Sequence, residues 1–138
     1  MLAREEVAAA FSPGSHASTF GGNAVVTAVA LEVMRILQEE GVLAGVSAKG
    51  EHFRRRLEDL AERHHAVRAV RGLGLLLGME LDRPAASVVD ACRRRGFLIN
   101  CIQERVLRFA PPLIVERPQI DKLAECLDAV LSEAVGRD

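Results

Sequence analysis

The fold follows from Gly14-Ser15-His16-Ala17-Ser18-Thr19-Phe20-Gly21-Gly22-Asn23, a loop of small and hydroxyl residues that leads into the most apolar helix of the sequence. Gly21 and Gly22 are predicted to turn the backbone with positive φ, while the serines and the threonine offer hydroxyl donors. Asn23 is predicted to cap the helix that begins at Ala24, whose free N–H groups and dipole favour a bound anion such as phosphate. A helix-capping loop that binds nothing is an equally good interpretation, because Gly and Ser dominate ordinary loops.

The helix that follows the loop is predicted over Ala24 to Glu40, with Gly41 at its C-terminal end. Its first two turns, residues 24–31, are apolar on every side. A helix that is apolar on every side must be buried on every side. The sequence therefore predicts that this segment packs against a missing domain or a partner subunit.

From Val42 onward, helices alternate with strands. The predicted order is a helix over Val42 to His64, strands over Val67 to Arg71 and Leu75 to Leu81, a helix over Pro84 to Arg95, strands over Phe97 to Ile102 and Val106 to Phe109, and a helix over Pro118 to Val135. This order predicts an α+β fold with helices on one face of a mainly antiparallel sheet. The Gly72-x-Gly74 pair precedes a strand rather than a helix, so a turn is favoured over a dinucleotide fingerprint.

Composition excludes several classes of function. The 18 basic residues are offset by 19 acidic ones and are scattered, so we expect neither nucleic-acid nor membrane binding. The charged start and the absence of a long apolar run predict a cytoplasmic protein. The three cysteines are predicted to be reduced and mostly buried, and His64-His65 to form a solvated helix end, which leaves no zinc site.

Arg108 is the second residue that stands out, since it lies between Leu107 and Phe109 on a short predicted strand and must send its guanidinium to a polar partner. The planar fork suits bidentate capture of a carboxylate. On residue types alone, however, an internal ion pair with one of the many acids is the preferred interpretation.

Four segments in order resemble the class III, pyridoxal-phosphate-dependent aminotransferases, and most closely the acetylornithine aminotransferases. The first, residues 15–23, resembles that family's His-Gly-Ser-Thr-Phe-Gly-Gly-Asn motif. The others are Val70-Arg71-Gly72-Leu73-Gly74-Leu75 with Gly78-Met79-Glu80-Leu81, then Leu98-Ile99-Asn100-Cys101, then Val106-Leu107-Arg108-Phe109-Ala110-Pro111-Pro112-Leu113. This chain departs from the family motif at two positions. Ala17 stands where the family usually has Gly, and Ala24 stands where it usually has Pro.

The resemblance implies the C-terminal part of a fold-type I enzyme. Residues 1–23 would end the large cofactor-binding domain, residues 24–41 would form a connecting helix, and residues 42–138 would form the small α+β domain. The parent enzyme would be a cytoplasmic homodimer that uses pyridoxal 5′-phosphate and acts on amino-acid and 2-oxo-acid substrates.

The resemblance also implies roles for single residues. Thr19 matches the threonine that binds the cofactor phosphate across the dimer interface, and Ser18 matches its neighbour in that loop. Arg108 matches the arginine that holds the substrate α-carboxylate, which reverses the preference for an ion pair. Asn100 and Gly22 match motif positions for which we expect structural roles.

The Schiff-base lysine of such enzymes has no counterpart here. The lysines of this chain, Lys49 and Lys122, lie on predicted helices in a context unlike the family's. We therefore expect no catalytic residue in the chain and no activity from it alone. Other class III aminotransferases, acting on ornithine, succinylornithine, 4-aminobutyrate or lysine-pathway donors, share these motifs. A noncatalytic domain that binds an intact aminotransferase is the alternative from another class.

Overall fold

The computed structural model describes the backbone of residues 3–135 and the side chains of residues 3–133. The chain divides into two compact units, one that ends at Glu40 and one that begins at Gly41. In the described residues, no helix is both long enough and apolar enough to cross a membrane.

The first unit contains a short helix, α1 (Glu5–Ala8), the Gly14–Asn23 loop and a longer helix, α2 (Ala24–Glu39). The sequence of residues 1–11 predicts a short strand followed by a helical turn from Glu5 to Phe11. The observed helix covers only Glu5–Ala8 of that turn, and part of the predicted strand lies outside the described residues. No residue of α2 is buried. Val25 and Leu31 expose 73% and 72% of their surface. The two apolar turns that were predicted to pack against another domain or subunit are therefore exposed in this unit.

The second unit consists of helices and strands in the predicted order. They are α3 (Val42–Arg63), β1 (Val67–Leu73), β2 (Leu76–Leu81), α4 (Ala86–Arg94), β3 (Asn100–Ile102), β4 (Val106–Phe109) and α5 (Arg117–Val135). The strands form one sheet in the order β1-β2-β4-β3, and every neighbouring pair is antiparallel. The predicted α+β class with an antiparallel sheet is confirmed.

The core of this unit lies between the sheet and its helices. Leu77, Met79, Leu107 and Phe109 alternate along β2 and β4 and are buried, as the two-residue period of a strand requires. Phe109 packs edge-on against Phe53 of α3, with ring centroids 5.3 Å apart. The opposite face of the sheet carries exposed and half-buried residues, including Arg108, together with the buried Val106.

Helix α3 lies directly on the turn that joins β1 and β2. A Cβ atom on Gly50 would stand 2.6 Å from the carbonyl oxygen of Gly74, so only glycine allows this approach. Gly74 itself has φ +54°, which favours glycine at the turn. Lys49 donates a hydrogen bond of 2.6 Å to the Leu113 carbonyl, and this bond ties α3 to the segment after β4.

Three local predictions were wrong. His64 is not solvated: it is buried at 8% exposure, and its Nε2 lies 2.6 Å from Asp128 Oδ1 on α5. Strand β3 begins at Asn100 instead of Phe97, because Phe97 and Ile99 pack against the core. Gly72 lies inside β1, with φ +137°, and does not end it.

Candidate functional site

The loop before α2 has the cap predicted for it. Asn23 Oδ1 accepts a hydrogen bond of 2.9 Å from the backbone N–H of Val26, and Asn23 Nδ2 donates to the Phe20 carbonyl. Gly22 has φ +76°, as predicted. Gly21 does not have positive φ; instead, a Cβ at this position would lie 3.0 Å from Ser18 Cβ. Gly21 therefore provides close approach to Ser18 rather than a left-handed turn.

Ser18 and Thr19 are adjacent and exposed in this loop. Ser18 Oγ accepts a hydrogen bond of 3.1 Å from the Gly21 N–H, which leaves its own hydroxyl proton free to be donated. Within residues 3–133, the Thr19 hydroxyl makes no hydrogen bond. The loop thus offers two hydroxyl donors beside a capped helix N-terminus, a donor set that fits a phosphate group.

Arg108 belongs to the second unit and lies on β4, between the buried Leu107 and Phe109. Because neighbouring side chains alternate across a strand, its side chain lies on the sheet face opposite the helices of the second unit. In the described part of the chain, its guanidinium makes no ion pair and no hydrogen bond. The internal ion pair favoured from residue types alone is therefore absent there.

The cross-strand neighbours of Arg108 explain why its guanidinium has no partner among the described residues. Gly78 of β2 and Asn100 of β3 lie directly opposite it, one on each side. Gly78 has no side chain and Asn100 has no charge, so neither can neutralise the guanidinium. Glu80, the nearest acid along β2, forms an ion pair with Arg71 of β1.

Arg108 also lines an open cleft of about 530 Å³. The other lining residues come from α3, the β1–β2 turn and the segment after β4, and all of them are apolar or glycine: Val46, Leu73, Gly74, Leu75, Leu76, Ala110, Pro111 and Leu113. An apolar wall reduces the competition of water for a guanidinium, and so strengthens its attraction for an anion. The cleft can therefore hold the carboxylate of a ligand.

Lys49 and Lys122, the two lysines of the chain, have different surroundings. Lys49 is half-buried, and its ammonium group is bonded to the Leu113 carbonyl. Lys122 is exposed on α5, beside an apolar cavity of about 430 Å³ that Phe53, Phe97 and Phe109 help to line.

The residues that isolate Arg108 were not predicted from the sequence. The roles of Gly78, Glu80 and Arg71 depend on strand register, which single-strand patterns do not specify. The only signal for them was the family motif, in which all three already stood.

Residues 1–131 match the family model of the aminotransferases of class III. The chain therefore belongs to the class-III aminotransferase family, whose members are pyridoxal-phosphate enzymes. It is 44% identical to the acetylornithine aminotransferase of Methanocaldococcus jannaschii over 133 residues, which are 96% of this chain and 33% of that protein. It is 37% identical to the ornithine aminotransferase of Exiguobacterium sp. over 134 residues, 97% of this chain and 33% of that protein.

A solved structure shows the same relation. The acetylornithine aminotransferase of Elizabethkingia anophelis matches with a TM-score of 0.78 and 28% identity, over 96% of this chain and 34% of that one. The chain thus spans about a third of the length of its relatives.

Proposed function

We propose that the chain is the C-terminal third of an acetylornithine aminotransferase that moves an amino group between N-acetylornithine and 2-oxoglutarate. The observation that carries this proposal is that the Arg108 guanidinium lines an apolar cleft and has no ion-pair or hydrogen-bond partner among residues 3–133. The names of the similar proteins, acetylornithine and ornithine aminotransferases, support the choice of substrate class.

Arg108 orients the substrate. Its fork donates two parallel hydrogen bonds to the α-carboxylate, which fixes the rotation of the amino acid about its carboxylate axis. Strand β4 is hydrogen-bonded on both edges, to β2 and β3, so the position of the guanidinium stem is well defined. Such positioning lowers the entropy cost of the reaction.

Pyridoxal 5′-phosphate is the cofactor that we propose for the complete enzyme, where it would supply an electron sink for the charge that develops at the substrate carbon bearing the transferred amino group. Ser18 and Thr19 would donate hydroxyl hydrogens to its phosphate, beside the N-terminus of α2. We further propose that Thr19 does this for the opposite subunit of a cytoplasmic homodimer, as in the family that the motif resembles. We assign residues 1–23 to the large domain, 24–41 to a connecting helix and 42–138 to the small domain.

We propose that the chain is inactive alone, because neither of its lysines suits covalent capture of the cofactor. The Lys49 ammonium is already bonded to the Leu113 carbonyl, and Lys122 is exposed on α5. The test is an absorbance spectrum of the purified chain with pyridoxal phosphate, followed by borohydride reduction and peptide mass mapping. No specific adduct is expected, and a stoichiometric adduct at Lys49 or Lys122 would refute this part of the proposal.

The substrate is tested in the complete enzyme, with kcat and KM measured for N-acetylornithine, ornithine, succinylornithine and 4-aminobutyrate. N-acetylornithine should have the highest kcat/KM, and preference for another donor would reassign the enzyme within its family. Arg108→Lys should lower kcat/KM by about 100-fold, because a lysine loses the bidentate geometry. Arg55→Lys, an exposed arginine on the polar side of α3, is the matched control and should leave kcat/KM unchanged.

The exposed apolar turns of α2 favour a second candidate, a noncatalytic domain that docks on an intact aminotransferase. An apolar helix face of this kind equally suits the interior of a longer enzyme. Co-expression with a complete class III aminotransferase distinguishes them, since only the docking domain should co-purify in fixed stoichiometry.

A further inference from the structure

Four residues form a row across the sheet face opposite the helices of the second unit. Arg71 of β1 is paired with Gly78 of β2, Gly78 with Arg108 of β4, and Arg108 with Asn100 of β3. Two arginines therefore flank a glycine, one strand away on either side. No side chain at position 78 separates them.

Glu80 lies in the next row of the same face. It is paired with Ala69 of β1 and with Val106 of β4, which makes it a diagonal neighbour of both Arg71 and Arg108. Diagonal neighbours lie about 7–8 Å apart, a distance that long side chains span. Glu80 can therefore reach either arginine, and in the structure it is bonded to Arg71.

We infer that Arg71 is a positioning residue that holds Glu80 away from Arg108, so that the Arg108 guanidinium stays available for a substrate carboxylate. This inference rests on the proposed function, because it assigns Arg108 to carboxylate binding. Without Arg71, we expect Glu80 to form an ion pair with Arg108, its other diagonal neighbour. A bound Glu80 carboxylate then occupies the same N–H fork that the substrate needs, and the substrate must displace it.

Gly78 contributes to the same arrangement. A Cβ at this position would stand 3.3 Å from Val106 Cγ1, so a side chain here would crowd the strip of surface between the arginines. Because position 78 has no side chain, Glu80 is able to reach Arg108. The ion pair with Arg71 prevents this contact.

The experiment measures how fast 2,3-butanedione modifies each arginine of the purified full chain, by peptide mass mapping. This reagent attacks unpaired guanidinium groups faster than paired ones. Arg55, which is exposed and makes no ion pair in the described residues, serves as the internal standard. In Arg71→Gln, we expect Arg108 to react about two- to fivefold more slowly relative to Arg55, the factor that an exposed ion pair provides.

Two rescue variants separate positioning from a general change of structure. Arg71→Gln/Glu80→Gln should restore the wild-type rate at Arg108, because no carboxylate is left to pair with it. Arg71→Lys should also restore it, since a lysine still holds Glu80. If Arg71→Gln alters the circular dichroism spectrum, Arg71→Met replaces it, because methionine keeps the aliphatic stem.

An unchanged Arg108 rate in the folded Arg71 variant would overturn the inference, and so would slow modification that persists in the double variant. Neither outcome bears on the proposed function, because the labelling does not measure substrate binding. That function is tested by the kinetics of Arg108→Lys in the complete enzyme.

Discussion

The Nε2 atom of His64 lies 2.6 Å from Oδ1 of Asp128, and Arg63 Nη1 lies 2.6 Å from the other oxygen of the same carboxylate. One acidic side chain on α5 thus binds two consecutive residues at the end of α3. The hydrogen bond from His64, followed by the neighbouring Arg63, holds the pKa of Asp128 below its usual range.

The lowered pKa of Asp128 makes the stability of the second unit depend on pH. The folded state binds the Asp128 proton less tightly than the unfolded chain does, so the stabilisation is present above the unfolded pKa of about 3.9. It is lost as the pH falls through the folded pKa. We expect Asp128→Asn to cost about 1–2 kcal/mol at pH 7, because the buried His64 and the exposed Arg63 lose a charged partner.

Urea denaturation of the wild-type chain and of Asp128→Asn, at pH 7 and at pH 3, measures this effect. The difference between the two midpoints should be larger at pH 7 than at pH 3. Glu125→Gln, an exposed acid on the same helix, is the control and should track the wild type at both values. A difference that stays constant with pH would show that the carboxylate charge is irrelevant.

The contact between α3 and the β1–β2 turn predicts opposite effects for two glycines of one helix. Gly50→Ala forces a methyl group against the Gly74 backbone at 2.6 Å and should destabilise the unit by about 2–3 kcal/mol. At Gly45, the nearest atom to an added Cβ is the flexible Lys49 Cε, at 3.4 Å. Gly45→Ala should therefore stabilise by about 0.5–1 kcal/mol, through lower entropy of the unfolded chain. The urea denaturation midpoints of the two variants, compared with that of the wild type, measure these effects. Equal shifts of the midpoint in both variants would be inconsistent with this packing.

The turn between β3 and β4 carries backbone strain. Gln103 and Glu104, the first two residues of this three-residue turn, have φ of +50° and +61°, values that favour glycine or asparagine. Glu104→Gly should raise the free energy of unfolding by about 1 kcal/mol. Glu104→Ala removes the same carboxylate but keeps the Cβ, so it should give no such gain. Thermal denaturation of both variants provides the measurement, and a gain in the alanine variant would point to charge instead of strain.

The cysteines should differ in reactivity. Burial, together with the neighbouring Cys126 thiol, raises the pKa of Cys92 to about 12, so almost no thiolate is present at neutral pH. Cys101 is only half-buried, on the edge strand β3. Iodoacetamide at pH 8 should label Cys101 in the native chain and reach Cys92 and Cys126 only after urea is added. Labelling of Cys92 as fast as Cys101 without urea would contradict the burial.

Sequence patterns predicted the helices well because each one carries its own information. The apolar positions of α2, α3 and α5 recur at helical spacing, and Gly41 and Gly96 adopt the positive φ that ends a helix. Strand β4 was predicted with its observed bounds because Leu107 and Phe109 alternate with Arg108. These features are local, and local physics is enough to specify them.

Features that depend on distant residues were not predictable in the same way. The burial of His64 requires Asp128, which lies in another helix, and helix α3 alone suggests only an exposed end. The free state of Arg108 likewise depends on what β2 and β3 place beside it. Residue types favoured an ion pair there, but the sheet register puts Gly78 and Asn100 in those positions.

The strand order β1-β2-β4-β3 has a consequence for synthesis on the ribosome. When β2 emerges, its outer edge has no partner, because β4 is made only after α4, β3 and the turn between β3 and β4. During that interval the edge presents unpaired backbone groups next to Leu77 and Met79, which is a template for association with other nascent chains. We therefore expect slower translation of residues 82–109 to lengthen the time for which this edge is exposed.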